Sequence, residues 1–333
     1  MTKFIDLFCG IGGFHSAITN VITNSKCVYA CDIDLHARET YKINYGIQPD
    51  LDIKSVDVKK IPNFDMLCGG FPCQSFSVAQ WKDDKGFDDP RGTLFFDILK
   101  IIDEHNPSIV LLENVANLAR FDKGNALKKI VSSMINKGYF VAYEILNAKD
   151  FGIPQNRERI YIVATKNKCF DMSNLKQRCS SVVLQEILDD DIPNEAWFNQ
   201  EQFTLLETTQ IKSQPKSGLK FVGYVNGVLR KKGAIENTEH LSRVHRQINR
   251  IYSSSGTHPT LSASETSGRY CIYDERKKNV RKLTLNECYK LMSFPETFIK
   301  HANIGHAYHQ IGNSVCVKVV ESIIRELVRQ EFL

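Results

Sequence analysis

Cys73 stands in the run Gly69-Gly70-Phe71-Pro72-Cys73-Gln74-Ser75-Phe76-Ser77, directly after a short apolar stretch at 64–68. Two glycines and a proline fix the loop it occupies, which is costly if the thiol merely fills a core. A thiol is partly ionised near neutrality and intrinsically nucleophilic, so modest help from a nearby cation activates it. Arg157 and Arg159, in Ile153-Pro154-Gln155-Asn156-Arg157-Glu158-Arg159, are the candidate cations just before another apolar run. Glu113-Asn114 closes the run 108–112. Among apolar neighbours its carboxyl is expected to hold its proton to higher pH and to donate it. Cysteines also serve as small buried hydrophobes and glutamates as helix caps. The chemical reading therefore requires that these residues meet at one edge of a sheet.

A second group of residues suits an adenosine-bearing ligand. Asp6-Leu7-Phe8-Cys9-Gly10-Ile11-Gly12-Gly13-Phe14 reads as a strand running into a glycine turn that opens a helix. Such a turn lets backbone approach a ligand and presents free N–H groups. Dinucleotide sites place G-x-G-x-x-G here; this chain has G-x-G-G, with His15 where the third glycine would fall. The next strand ends at Cys31-Asp32-Ile33-Asp34, where a carboxylate can accept from ribose hydroxyls. A third acidic strand end is expected at Asp52-Ile53, accepting from an adenine amino group while Ile33 and Ile53 sandwich the ring. The same carboxylates can instead cap the helices that follow, Asp34 above all. This ligand set does not distinguish NAD from S-adenosylmethionine.

The elements that must position these groups follow from the apolar pattern. Strands are expected at 4–8, 27–31, 64–68, 109–112, 140–146 and 160–164. Helices are expected at Leu35–Tyr45, Leu94–His105 and 126–136. Alternation of this kind predicts an α/β fold with a doubly wound, Rossmann-like and mostly parallel sheet. A length of 333 residues suggests one large domain and a smaller one. Hydrophobic and charged shares of 42% and 24% match an ordinary soluble globular protein. No signal-peptide pattern or bilayer-length apolar run is seen, which points to a cytoplasmic protein without membrane contact. The ten cysteines form no paired C-x-x-C sets, so no metal site is read from them.

Beyond residue 170 the alternation fades into a polar, basic stretch containing Lys212, Lys216, Lys220, Arg230, Lys231, Lys232, Arg243, Arg246 and Arg250. Short Gly-punctuated runs at 218–228 and 268–274 suggest small strands. Residues 171–280 thus read as a second, smaller, irregular β-rich domain, and 1–170 with 281–333 as the first. The modest net charge of +5 matters less than this local excess, which suits either nucleic acid or a solvated surface. Apolar periodicity returns at 283–294, and 315–327 reads as an amphipathic helix packing back on the first domain.

Taken together, blocks 6–14, 70–77, 112–115, 155–159 and 310–315 resemble, in order and spacing, the signature blocks of DNA (cytosine-5) methyltransferases. The likeness is greatest to the small prokaryotic enzymes of type II restriction–modification systems. It runs from residue 4 to the C-terminal helix and is weakest over 170–245. Pro72-Cys73-Gln74 within the ordered set is highly specific.

The resemblance implies the S-adenosylmethionine-dependent methyltransferase fold and a nucleophilic Cys73 that adds to carbon 6 of a cytosine flipped out of duplex DNA. Glu113 would protonate or hydrogen-bond the ring nitrogen N3, Arg159 would hold the exocyclic oxygen, and Arg157 would support the site. S-adenosylmethionine would contact Phe8, Ile11, Gly13, Asp32, Ile33, Asp52, Ile53, Gly70, Pro72, Leu94, Asn313 and Ser314. Asp32 and Ile33 replace a frequent glutamate and tryptophan, which weakens stacking on adenine. Ser77, Gln247, Arg250 and Tyr252 would contact DNA, with Arg250 pairing to guanine or simply to phosphate. A monomer acting on double-stranded DNA, associated with the nucleoid, is expected, with a separate cognate restriction endonuclease as a possible companion. The nearest alternative is a tRNA cytosine-5 methyltransferase on the same scaffold, whose usual Cys-Phe-Thr feature is absent here. A catalytically silent DNA-binding module and an NAD-dependent oxidoreductase fit less well.

Overall fold

The computed structural model describes residues 1–72, 94–175, 182–227, 235, 237–263 and 271–333. Cys73, Ser77, Arg230, Lys231 and Lys232 lie outside the described residues. The first half of the chain runs β1 (Thr2–Leu7), α1 (Gly13–Val21), β2 (Ser25–Cys31), α2 (Leu35–Tyr45), β3 (Met66–Gly69), α3 (Leu94–His105), β4 (Ile109–Val115), α4 (Asn125–Asn136) and β5 (Phe140–Asn147). A two-residue β6 (Gln155–Asn156) and the long β7 (Glu158–Thr165) follow. These strands, β6 apart, form one sheet in the order β2-β1-β3-β4-β7-β5. β1 to β4 pair in parallel, while β7 runs antiparallel to both β4 and β5. The expected α/β class with a mostly parallel sheet is what the chain adopts.

The sheet is sandwiched, and the alternation of its side chains shows how. Phe4, Met66, Cys68, Ile109, Leu111, Tyr161 and Val163 pack on one face with α1, α2 and the C-terminal helices. Ile5, Leu7, Leu67, Val110, Leu112, Ile160 and Ile162 pack on the other with α3 and α4. Strands covered on both faces must be apolar throughout, which is why β3 and most of β4 read as unbroken apolar runs. Helix ends are set locally. The Asp34 carboxylate caps α2 by accepting from the N–H of His36 at 2.9 Å and of Ala37 at 3.1 Å, and Gly46 ends it at φ 70°.

Several element boundaries differ from expectation, among them those around the cavity described below. Glu113 and Asn114 do not follow β4 but lie inside it, because the antiparallel ladder continues through Glu113↔Tyr161, Asn114↔Ile160 and Val115↔Arg159. Arg159 is therefore within β7 rather than ahead of it. Asp52 is not a strand end either. It caps a single 3-10 turn, Ile53–Ser55, accepting from the Lys54 N–H at 3.0 Å.

The second region carries β8 (Phe203–Leu205), β9 (Ser213–Gln214), β10 (Leu219–Val225), β11 (Arg250–Ser253), β12 (His258–Pro259), β13 (Cys271–Asp274) and β14 (Asn279–Lys282). A second sheet in the order β14-β13-β11-β10-β8, with β9 against β10, holds all of these but β12. β12 instead pairs in parallel with β6, joining this region to the segment ahead of β7. Then come α5 (Leu285–Leu291), α6 (Ile304–Asn313) and α7 (Val317–Arg329). Val317, Val320, Ile323, Ile324 and Leu327 line one face of α7, which packs against α1 as the amphipathic pattern requires. Among the described residues no helix is long and apolar enough to cross a membrane.

Candidate active site

From β1 the chain passes to β2 on one side and then to β3 on the other, so the carboxyl ends of β1 and β3 flank a topological switch point. Open α/β sheets bind ligands there. A cavity of about 560 Å³ opens at this place, within the size range of small-molecule sites. Phe8 lines it just past β1, Asp32 just past β2, Gly70 just past β3, and Glu113, Asn114 and Val115 at the end of β4. Because β7 runs antiparallel, its first residues reach the same edge, and Arg159 joins the wall.

At one end of the cavity Asp32 is held by two backbone N–H donors, Gly10 at 2.7 Å to one carboxylate oxygen and Asp34 at 2.8 Å to the other. Each oxygen keeps a lone pair for a further donor. Burial pushes this carboxyl above its ordinary value, and the two N–H bonds pull back. Ile33, 74% exposed, and the buried Ile53 also line the cavity, as do Asp52 and Leu94. An accepting carboxylate at the end of β2 beside apolar side chains suits the ribose hydroxyls and adenine of an adenosine ligand.

At the other end Glu113 is nearly buried, 9% exposed, and its Oε1 lies 3.1 Å from Nε of Arg159. Burial raises its pKa above the usual carboxylate range; Arg159 and Arg157 oppose the shift. The Asn114 amide donates to the Phe71 carbonyl at 2.8 Å, tying the end of β4 to Gly70-Phe71-Pro72. Gly70 and Pro72 line the cavity, and Cys73 is the next residue in the chain. A Cβ on Gly70 would sit 3.6 Å from Glu113 Oε2, so the loop passes close to the carboxyl.

Arg157 has a different task. It is 3% exposed and donates to three carbonyls: Leu261 at 3.2 Å, Gly312 at 3.2 Å and Ser314 at 2.7 Å. Burial, helped by the neighbouring Arg159, lowers its pKa to about 9, which leaves it charged at neutral pH. It borders the cavity, and its two terminal nitrogens hold the chain just ahead of β7, the 258–263 segment and the end of α6 together, while its Nε is buried without a hydrogen-bond partner among the described residues.

Three residues expected around the cofactor lie off the wall. Ile11 is 1% exposed in the core, and Ser314 uses its hydroxyl on the Val315 carbonyl at 3.2 Å. Gly13 is required by packing, since a Cβ there would meet Val315 Cγ2 at 2.6 Å. Gly12, at φ 84°, would place one 2.2 Å from the Tyr45 ring. Of the glycine turn only Gly10 faces the cavity, so most of its glycines serve helix packing. Residues the sequence did not single out also line the wall, among them Leu51, Phe71, Val115, Gln310 and Gly312. Phe71, Val115, Gln310 and Gly312 fall inside the 70–77, 112–115 and 310–315 blocks, which were the available signal.

In the second region Gln247 is exposed in a 3-10 turn, and Tyr252 is buried against Phe221. Arg250 donates to the His245 carbonyl through Nε at 3.2 Å and Nη2 at 3.0 Å. A smaller cavity of about 270 Å³ here is lined by Lys212, His240, Arg243 and Phe221, among others.

Known proteins resemble this chain over nearly its whole length. The family model described as C-5 cytosine-specific DNA methylase matches residues 2–329. The type II methyltransferase M.HhaI of Haemophilus parahaemolyticus is 35% identical over 96% of this chain and 92% of its own. The type II methyltransferase M.NlaX of Neisseria lactamica is 35% identical over 98% and 96%. Among solved structures, the Entamoeba histolytica methyltransferase EhMeth superposes with a TM-score of 0.72 at 20% identity, covering 99% of this chain and 98% of that one. A DNA modification methyltransferase encoded within an E. coli prophage gives 0.68 at 22%, covering 99% of each. At such identities the structural likeness speaks to the fold alone.

Proposed function

The chain belongs to the family of C-5 cytosine-specific DNA methylases, and from that premise we propose how its cavity carries out the reaction. It is a DNA (cytosine-5-)-methyltransferase of the type II restriction–modification kind. The observation that carries the mechanism is a single cavity holding Asp32 at one end and the buried Glu113–Arg159 pair at the other.

S-adenosylmethionine, when bound, supplies the methyl group for carbon 5. Asp32 would accept from its ribose hydroxyls, Ile33 and Ile53 would hold its adenine, and Asp52 would accept from the adenine amino group. Phe8, Gly70, Pro72, Leu94 and Asn313 complete this end of the cavity. The target cytosine enters from the other end, flipped out of the duplex at a cost of a few kcal/mol.

The Cys73 thiolate forms a bond to carbon 6 while Glu113 gives a proton to N3, which makes carbon 5 electron-rich. The high-titrating carboxyl suits that donor role, since it keeps its proton where an ordinary glutamate has lost it. Arg159, anchored on Glu113, holds the exocyclic oxygen; Arg157 fixes the frame behind both. Once carbon 5 carries the methyl group, its proton passes to solvent, the carbon 6–sulfur bond breaks with its electron pair returning to Cys73 as thiolate, and N3 gives its proton back to Glu113, which releases the methylated base.

Residues 171–280 form the DNA-reading part and 1–170 with 281–333 the catalytic part. Exposed Arg246 and Gln247 face the duplex, and Arg250 reaches a guanine by exchanging its bonds to His245. The enzyme acts as a monomer in the cytoplasm, on nucleoid DNA, and any cognate restriction endonuclease acts separately.

Methyl transfer from labelled cofactor to duplex DNA, set against transfer RNA, tests the substrate; label on transfer RNA alone would overturn it. Cys73→Ser protein is expected to methylate nothing and to form no covalent complex with DNA containing 5-fluorocytosine. An active Cys73→Ser protein would remove Cys73 as nucleophile.

A further inference from the structure

α2 carries a second set of chemically able side chains. His36 and Glu39 stand one turn apart on it, with His36 Nδ1 3.3 Å from Glu39 Oε2. The same carboxylate oxygen lies 3.5 Å from Nε2 of His301, on the chain between α5 and α6. All three ligand atoms fall within 4.8 Å of one another. His306 stacks on the His36 ring with centroids 3.8 Å apart and meets His301 edge-on at 5.1 Å, which fixes the orientation of both rings.

Charge-assisted hydrogen bonds from imidazole to carboxylate close to about 2.7–2.9 Å. Two rings that stop short of that distance on one oxygen fit another geometry better. In a tetrahedron of ligands about 2.0–2.1 Å from a zinc-like ion, neighbouring donor atoms stand about 3.3 Å apart. We propose that His36, Glu39 and His301 bind a divalent transition metal of the zinc class, tying α2 to the chain that enters α6. Two imidazoles and one carboxylate suit zinc, cobalt or nickel and not magnesium or calcium, which take oxygen ligands.

Binding has a defined proton requirement. The Asn303 N–H now donates to His301 Nδ1 at 2.9 Å, so the neutral ring carries its proton on Nε2. Ligation at Nε2 would move that proton to Nδ1, where the Asn303 carbonyl, 3.3 Å away, can accept it, and the Asn303 N–H would give up its bond to Nδ1. Asn303 is also the cap of α6, accepting from Gly305 at 2.9 Å. The metal would act as a structural tie near the cofactor cavity. Asp34 and Ala37 of the α2 end line that cavity, as do Gln310, Gly312 and Asn313 of the α6 end. Thr40 already bridges the two helices by donating to Gln310 Oε1 at 3.1 Å.

Cobalt(II) titrated into the full-length protein near neutral pH is the probe, followed by absorption and by zinc calorimetry. One equivalent is expected, with d–d bands and no thiolate charge-transfer band. His301→Ala and Glu39→Gln should each weaken binding by about tenfold or more. Glu39 is half exposed, so its amide variant tests ligation without disturbing the fold. His306→Phe keeps a ring against His36 and should leave the affinity unchanged. A thiolate band, the absence of saturable binding, unaltered affinity in both ligand variants, or loss in His306→Phe would each overturn the assignment.

Discussion

At the carboxyl edge of the first sheet, charged side chains are anchored on one side and left facing a cavity on the other. Asp32 is pinned by two backbone N–H groups, and Glu113 by Arg159. In the second sheet the charges face each other instead. Arg281, fully buried on β14, donates in a fork to Glu287 at 2.9 and 2.8 Å and to Asp274 at 3.1 Å. Glu287 also accepts from the N–H groups of Thr284 at 2.8 Å and Asp189 at 3.0 Å. The apolar reserves differ in the same sense. The first sheet has a large cluster on each face, whereas the second keeps small ones such as Phe203, Val222, Ile251, Cys271 and Val280. A region with little apolar core draws its unique arrangement from satisfied charges; a region with a large core can leave charges free for chemistry.

The largest effect that would break this contrast is at Glu113. Glu113→Gln should fold and bind S-adenosylmethionine normally yet lose about 10²–10⁴-fold in methyl-transfer rate, the usual worth of a positioned proton donor. Its pH dependence follows from the sign of the shift. A raised pKa means that the donor form persists above the usual carboxylate range and disappears as pH climbs through the raised value. The wild-type rate should therefore fall along that limb, and the Gln variant should lack it. Single-turnover rates over a pH series check both statements; an unchanged rate would mean that this edge of the sheet is not where the chemistry lies.

Next in size is the buried network. Arg281→Met leaves Glu287 buried without its cation and Asp274 dependent on Arg276, 3.5 Å away, and should cost about 3–5 kcal/mol of stability, read from urea unfolding. A loss below about 1 kcal/mol, the worth of an exposed pair, would remove the contrast between the two sheets. Smaller again is Asp32→Asn. Hydrogen bonds to a charged acceptor contribute about 1.5–3 kcal/mol, so affinity for S-adenosylmethionine should drop by roughly tenfold or more in a calorimetric titration. Folding should be retained, since the amide oxygen can still accept an N–H.

How much of this was legible in the sequence divides along the same line. Helices at Leu35–Tyr45 and Leu94–His105 and all six strands of the first sheet follow from periodicity, because two-sided burial imposes an unmistakable pattern. Glu113 and Arg159 meet because β7 is antiparallel, a pairing that no local pattern encodes. α6 was not anticipated, since Gly305, His306, His309, Gly312 and Asn313 are poor helix formers and tertiary packing of Ala307, Tyr308 and Ile311 decides instead. In the second region residue type misleads. Arg250 and Arg281 look alike as basic residues, yet one is turned to a backbone carbonyl and the other is sealed in an ion-pair network.

The smallest effect sharpens that last point, because it separates charges that hold the second region together from charges that face outward. Lys212 and Arg243 are exposed and line its cavity. If they meet phosphate, each releases counterions, and removing one should lower the slope of log affinity against log salt by about 0.9. The loss should be uniform across DNA sequences, since phosphate contacts position the protein without reading bases. Arg250→Gln offers the contrast. Its guanidinium must give up two bonds to His245 to reach a base, so any gain at guanine is offset by what the carbonyl loses. Discrimination at one base pair should therefore fall by less than the ~1–3 kcal/mol of a freely placed bidentate arginine. Binding isotherms at several salt concentrations, on a methylatable duplex and on single-base variants of it, measure both quantities. A salt slope unchanged in Lys212→Ala and Arg243→Ala would move the DNA path away from this cavity. A full-sized loss at a single position in Arg250→Gln would show that the bond to His245 opens at no net cost when DNA binds.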